Sequence, residues 1–304
     1  DLISYASDYR EGKKGQGCNW TDEWYAMDGN TLVTASTEGL TDAQKALNNG
    51  CGLTYAEYTT KYQTMLSSIY TNKGFYIGRY EAGIEGSDTD TSLARYSRTE
   101  ITSSSPKAVS MKNMIPYNFV TCSEAQQLAG GMKTGNKTSS LMYGIQWDLV
   151  CKFLKVKGNW DISTNTEQYY IKENSASWGN YKDSSITLAR GKYNIKPYSA
   201  VPGTWITFNT DTENYVTSNQ TNSSTAYTQL LTTGASENTN EMNIYDLAGN
   251  EYEWTLEKTT GTNSPCSLRG GSYGVSGSNC PVSYRIGNGM TDNDSNFGLR
   301  PSLY

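Results

Sequence analysis

The chain has 304 residues; with 36% hydrophobic and only 18% charged, its polarity rests on Ser, Thr, Asn, Gly and Tyr, which excludes a charge-rich disordered chain. Lys+Arg 25 against Asp+Glu 30 gives a net charge of −5 with no basic run, which excludes a nucleic-acid partner held by clustered cations. Histidine is absent, which removes Ser-His-Asp and Cys-His catalysis and every zinc site that needs an imidazole.

Gly 29 and Tyr 24 against Phe 5 predict a loop-rich fold built on amphipathic rings. No apolar stretch approaches the roughly 20 residues that span a bilayer, so no membrane insertion is expected. The start at Asp1, without a signal-like segment, reads as a fragment or a processed product. The six cysteines, at 18, 51, 122, 151, 266 and 280, are scattered without a CxxC pair. They read as buried free thiols, with one or two disulfides as the alternative.

In chain order, residues 1–53 read as irregular apart from a short helix near Thr41–Asn48. Thr54-Tyr-Ala-Glu57 has the spacing of a capping box, and Tyr58, Tyr62, Met65, Leu66 and Ile69 recur at helical intervals, predicting a helix over 54–70. Phe75-Tyr-Ile-Gly-Arg-Tyr-Glu81 reads as a core strand and 84–113 as loop. A helix capped by Thr121 or Ser123 runs through Ala129, and a second covers Ser139–Leu154 with Leu141, Ile145, Trp147, Leu149, Val150 and Phe153 inward. From 155 to 240 the composition predicts long ordered surface loops.

Residues 243–304 hold Asn243-Ile-Tyr-Asp-Leu-Ala-Gly-Asn-Glu-Tyr-Glu-Trp-Thr255, Leu268-Arg-Gly-Gly-Ser-Tyr273, Tyr284-Arg285 and Phe297-Gly-Leu-Arg-Pro301. Arg269, Arg285 and Arg300 suit carbonyl or carboxylate partners that hold loops in place, and Trp254 suits a buried anchor. This ordered set resembles the formylglycine-generating-enzyme (sulfatase-modifying factor) branch of the C-type lectin fold over roughly 72–304. The resemblance implies an α+β fold with small twisted antiparallel sheets, two main helices and long ordered loops. Residues 1–70 would form an N-terminal extension and 71–304 the lectin-type domain.

The enzymes of that family need a cysteine pair just after the Gly-Gly-Ser-aromatic motif. Here the two positions fall on Val275 and Cys280, so cysteine oxidation is expected to be absent and the chain is read as no enzyme. The family's calcium pattern falls on Asp246, Gly249, Glu251 and Glu253, whose hard oxygens suit that ion. In the alternative reading Asp246 caps the turn and Glu253 pairs with an arginine. No cofactor is required in either case.

The run between Tyr273 and Gly298 has no period of 2 or 3.6 and reads as no core element. It contains no Lys, Glu, Gln or Trp, a repertoire that randomised adenines in Asn codons would produce, with Met290 outside it. In this respect the chain is similar to the variable proteins of diversity-generating retroelements, which alter a lectin-fold surface to change the ligand bound. That resemblance implies a ligand surface of Tyr273, Gly274, Val275, Ser278, Asn279, Cys280, Val282, Ile286, Gly287, Asn288, Gly289, Asn293, Asp294, Asn296 and Phe297. It also implies a protein or glycan ligand on a host surface, and a place on a phage tail or a bacterial cell surface. The alternatives are an invariant tail or adhesion protein of the same fold and, third, an oxidase.

Overall fold

The computed structural model describes residues 20–21, 25–28, 31–34, 50–158, 166–194, 204–208, 229–259, 261 and 263–304. Its α-helices are α1 (Tyr55–Asn72), α2 (Cys122–Gly131), α3 (Gly144–Lys157) and α4 (Thr166–Lys172). The strands that frame the C-terminal region are β1 (Tyr76–Ile77), β2 (Ser139–Leu141), β3 (Tyr252–Thr259), β4 (Cys266–Arg269), β5 (Arg285–Asn288), β6 (Phe297–Leu299) and β7 (Pro301–Leu303). The expected helix near Thr41–Asn48 lies outside the described residues.

Two helix starts follow directly from the chain. At α1 the Thr54 Oγ1 accepts from the Glu57 amide at 3.3 Å and the Glu57 carboxylate accepts from the Thr54 amide at 2.8 Å. Thr121 and Glu124 repeat the exchange at α2. Each cap satisfies amide donors that the first helical turn leaves without partners, contributing about 1 kcal/mol.

The run Ser139–Leu154 is divided: Ser139–Leu141 pairs with β7, and α3 begins only at Gly144. Trp147, Val150, Cys151 and Leu154 occupy the buried face of α3, which leaves Phe153 off that face and 44% exposed rather than inward. Of the strand expected over 75–81, only Tyr76–Ile77 pairs regularly. Beyond it the Gly78 carbonyl accepts from Arg300 and the Arg79 carbonyl from the Tyr245 amide, so these groups serve loops instead of a ladder.

The main sheet is centred on β3. It pairs antiparallel with β4, in the register Glu253↔Arg269 and Trp254↔Leu268, and parallel with β6. β5 adds antiparallel to β4, with Arg269 opposite Arg285, and Trp20–Thr21 pairs with the far end of β3. In a second sheet β7 lies between β1 and β2, antiparallel to both. A single residue, Arg300, separates β6 from β7, so the chain changes sheets at that side chain. Helices beside small, chiefly antiparallel sheets make this an α+β fold.

The largest core joins Tyr58, Met65 and Ile69 of α1 to α2 and to Trp254, Leu256 and Leu268 of the main sheet. A second gathers Trp147, Cys151 and Leu154 of α3 with Trp178, Tyr181, Leu247 and Val282. The stretch 155–240 is more than surface loop. Its described residues include α4, two strand partners of Lys192–Asn194, and a small core of Ile186, Leu188, Tyr193, Phe208 and Leu231.

Arg269, Arg285, Asp148 and Glu257 are all buried and tie α3 to β3, β4 and β5. Removing one member leaves a charge buried without its counter-charge, a loss of about 3–5 kcal/mol. Arg269→Met should therefore lower the unfolding free energy in a urea titration by that amount, and Arg269→Lys, which lacks the fork, should recover less than half of it.

Candidate functional site: the C-terminal surface and its frame

Below the expected ligand surface lies a set of buried charges. The Arg269 guanidinium donates to Glu257 at 2.9 Å and to Asp148 at 2.8 Å, and Arg285 donates to both Asp148 oxygens at 2.8 and 3.1 Å. Arg269 is held even more firmly in its charged form, because the two carboxylates outweigh the cost of burial. The indole of Trp147 donates to the Val282 carbonyl at 2.9 Å, and that of Trp254 to the Val120 carbonyl at 2.8 Å. Gly270 and Gly271, at φ 90 and 76, turn the chain out of β4. A β-carbon on Gly271 would collide with the Cys280 carbonyl and the Tyr181 ring, so only glycine fits there.

On this base the stretch expected to vary is partly built into the fold. Arg285–Asn288 forms the ladder with β4, and Phe297–Leu299 runs parallel to β3. The run therefore contains core elements after all; their three- and four-residue lengths are too short to carry a period. Three of the fifteen expected surface residues are buried and cannot face a ligand. Tyr273 is enclosed, its hydroxyl 3.0 Å from that of Ser295. Val282 belongs to the core beside Trp147. Cys280 lies under Tyr252, whose hydroxyl is 3.1 Å from the sulfur.

The other twelve reach the surface to different extents. Asn279 and Asp294 are exposed, while Gly274, Val275, Ser278, Ile286, Gly287, Asn288, Gly289, Asn293, Asn296 and Phe297 are half-buried. Ile286, Gly287 and Asn288 lie on β5 with Gly289 just beyond it, and the other eight fall into two groups. Val275 and its neighbours lie against residues 174–184: the Val275 carbonyl accepts from the Lys182 amide at 2.9 Å, and the Gly277 amide donates to Asp183 at 2.9 Å. The 293–297 segment rests on the start of α2 and on β3: the Asn118 amide group donates to the Ser295 carbonyl at 2.8 Å, and Phe297 meets Trp254 edge-on at 5.4 Å. The backbone at both places is held while side chains between the anchors stay accessible.

The position of the family's thiol pair can be read from the same geometry. Val275 has no sulfur, and Cys280 forms no disulfide. Tyr252 and Tyr284 both hydrogen-bond the Cys280 thiol, and burial pushes the Tyr284 phenol up to about 12. The free-thiol reading holds for the five cysteines other than Cys18, which lies outside the described residues.

The residues expected around calcium are partly engaged. Asp246 accepts from Thr239 Oγ1 at 2.7 Å and from the Gly234 amide at 2.6 Å, and Glu253 takes the Arg300 guanidinium at 2.7–3.1 Å. Arg300 also donates to the carbonyls of Gly78 and Tyr245, both at 2.8 Å, which joins the two sheets at their corner. The Gly249 amide donates to the Gly270 carbonyl at 2.9 Å. Glu251 is buried, and neither carboxylate oxygen has a well-formed hydrogen bond. Among the described residues no group of three or more Cys, Asp or Glu side chains is arranged to hold a metal ion. Sequence reasoning missed a further member: Glu81, treated only as the end of a strand, is buried beside Asp246, Glu251 and Glu253 and bonded by Asn250.

Burial and the neighbouring Asp246 raise the Glu253 carboxyl to about 7 against the pull of Arg300. The unfolded chain releases this proton near 4.5, so the folded form retains a proton that the unfolded form has lost between about pH 4.5 and 7. Stability from this group is therefore full below about 4.5 and declines as pH rises through about 7. Thermal melts across pH 4.5–8 should fall less steeply for Glu253→Gln than for the unchanged chain, even though the variant melts lower throughout; parallel curves would contradict the assignment.

No helix among the described residues is long and apolar enough to cross a membrane. The sulfatase-modifying factor enzyme 1-like domain matches residues 70–301, and no curated protein matches the chain. With most of its length covered, from β1 through the Arg300 corner, the chain belongs to the family of sulfatase-modifying factor enzyme 1-like domains.

Proposed function

We infer that this chain is a non-catalytic receptor-binding protein with a C-type-lectin-type fold. Its C-terminal surface is diversified by a retroelement and carried on a phage tail or a bacterial surface. The observation that carries the reading is the division of labour between Tyr273 and Gly298. Ser283, Arg285 and Ser295 are buried in the frame, whereas Asn279, Asn288, Asn293, Asp294 and Asn296 reach solvent from the same stretch. Within the second set Asn296 still donates to Ser272 at 3.2 Å and Asp294 accepts from the Ser295 hydroxyl at 3.0 Å, so substitution is expected to cost least at Asn279, Asn288 and Asn293; binding residues above a rigid scaffold follow this pattern generally. A fixed backbone also lowers the cost of association, since each side chain immobilised on binding costs about 0.5–1.5 kcal/mol.

The chemistry available supports binding over turnover. Oxidation of a substrate cysteine in the family's manner needs two thiols, and Val275 supplies none while Cys280 is closed over by phenols. Half-buried Val275, Ile286 and Phe297 offer apolar contact, with Asn and Asp side chains around them for directional hydrogen bonds, a combination suited to a protein or glycan surface. The reading needs no bound metal.

The coding DNA tests the diversified half of this reading. A near-identical copy of the segment for 274–297, differing chiefly at adenines and lying beside a reverse transcriptase gene, is expected. Sibling genomes should differ at codons for residues such as 279, 288 and 294 while those for 269, 285 and 300 stay fixed. A single unvaried copy would leave an invariant adhesion protein of the same fold in its place.

A further inference from the structure

Away from the C-terminal surface, four side chains from four parts of the chain meet in the main core: Cys51, Cys122, Lys258 and Cys266, each 0% exposed. Strand register and a helix start bring them there. Lys258 and Cys266 are paired residues of β3 and β4, just past the irregularity between Thr255 and Lys258. Cys122 is the first residue of α2; its thiol approaches the Thr255 carbonyl at 3.8 Å and is hydrogen-bonded with Cys266. Cys51 is hydrogen-bonded with Lys258.

One segment packs tightly against this cluster, with Gly50 and Cys51 buried and Gly52 exposed. Gly50 and Gly52 flank Cys51 with φ of 87 and 75, and a β-carbon on Gly50 would lie 2.6 Å from the Cys266 sulfur. The Gly50-Cys51-Gly52 segment thus rests directly on Cys266.

A buried ammonium needs a compensating charge, and the cysteine beside Lys258 whose thiol is shifted toward the charged form is Cys266, since burial raises Cys51 and the contact with Cys266 raises Cys122. Burial works against the Lys258 charge, but the neighbouring cysteines favour it and the Lys258 amine is shifted toward its protonated form, with Cys51 as its hydrogen-bond partner. The hydrogen bond from Cys122, helped by Lys258, brings the Cys266 thiol down to about 7 against burial and, to a smaller extent, Asp292, while the same contact pushes Cys122 up. Cys266 is thus the thiolate of the pair and Cys122 the protonated partner, the arrangement that disulfide chemistry uses.

The geometry points to Cys122 and Cys266 as an oxidisable thiol pair, with a hydroperoxide as oxidant and Lys258 as the fixed cation beside the nucleophile. The Cys266 thiolate attacks the terminal peroxide oxygen; an S–O bond forms, the O–O bond breaks, and the alkoxide takes a proton from solvent and leaves as the alcohol. Cys122 sulfur then attacks the Cys266 sulfenic acid: the S–S bond forms, the S–O bond breaks, and hydroxide leaves with the Cys122 proton as water. The two sulfurs lose two electrons and the peroxide gains them. The product ties the first residue of α2 to the central sheet.

The test uses the full chain, treated with hydrogen peroxide, alkylated and digested without reductant for mass spectrometry. A linked Cys122–Cys266 peptide pair is expected that dithiothreitol reverses and that forms at least tenfold faster than oxidation of Cys151 or Cys280. Cys266→Ser should abolish it, Cys51→Ser should retain it, and Lys258→Met should slow it about tenfold while Lys258→Arg stays near the unchanged rate. Should a variant fail to fold, the peptide map of the unchanged chain still decides. Absence of the linked pair in the native chain, or oxidation spread evenly over all the buried thiols, would overturn the assignment.

Discussion

Two arginines and two carboxylates, closed off from water, govern how the C-terminal half is put together. Asp148 comes from α3, Glu257 from β3, Arg269 from β4 and Arg285 from β5, and their charges balance within the group. Attraction between such groups offsets their desolvation only when the geometry is good and the remaining donors are satisfied. A slip of one residue in β4 or β5 would bring an apolar side chain to an arginine's place and leave carboxylates exposed to each other in the interior. The network therefore contributes more to register than to net stability.

That register is what the proposed variable surface rests on. Because Arg285 is clamped inward, Ile286 to Gly289 are fixed in position without having to hold themselves there. At the other end of the run the Arg300 contacts to Glu253, Gly78 and Tyr245 close the chain into β7. Between these fixed points, Ser295 bonds Tyr273 and Asn118 from beneath. Of the side chains that reach solvent, Asp294 and Asn296 share in that bonding through Ser295 and Ser272, which leaves Asn279, Asn288 and Asn293 as the positions of the proposed ligand surface with least duty to the frame.

Local chemistry was the most legible part of the sequence. The Thr54/Glu57 pair announced one helix start because a capping box is complete within four residues; at the second helix the sequence offered Thr121 or Ser123 as the cap, and Thr121 takes that place in a box with Glu124. The arginine anchors were recognisable as residue types, but not their partners: Asp148 lies 121 residues from Arg269 and 137 from Arg285, a distance that no spacing rule spans. Cys280 and Val282 looked like surface because their neighbours are Ser, Asn and Pro; burial there is imposed by Tyr252 and by the Trp147 cluster from elsewhere in the chain. The group of Cys51, Cys122, Lys258 and Cys266 was invisible for the same reason, and Phe153 was misplaced by one step of helical phase.

The central claim is that frame and surface are energetically separable within 25 residues of chain. Simultaneous randomisation of Asn279, Asn288 and Asn293, followed by melting of a sample of the products, measures that separation directly. The account predicts melting temperatures within about 3 °C of the parent for most members, since exposed substitutions away from special contacts shift stability by only about 0.5 kcal/mol each. Widespread unfolding across the sample, of the size produced by loss of a buried arginine, would contradict it.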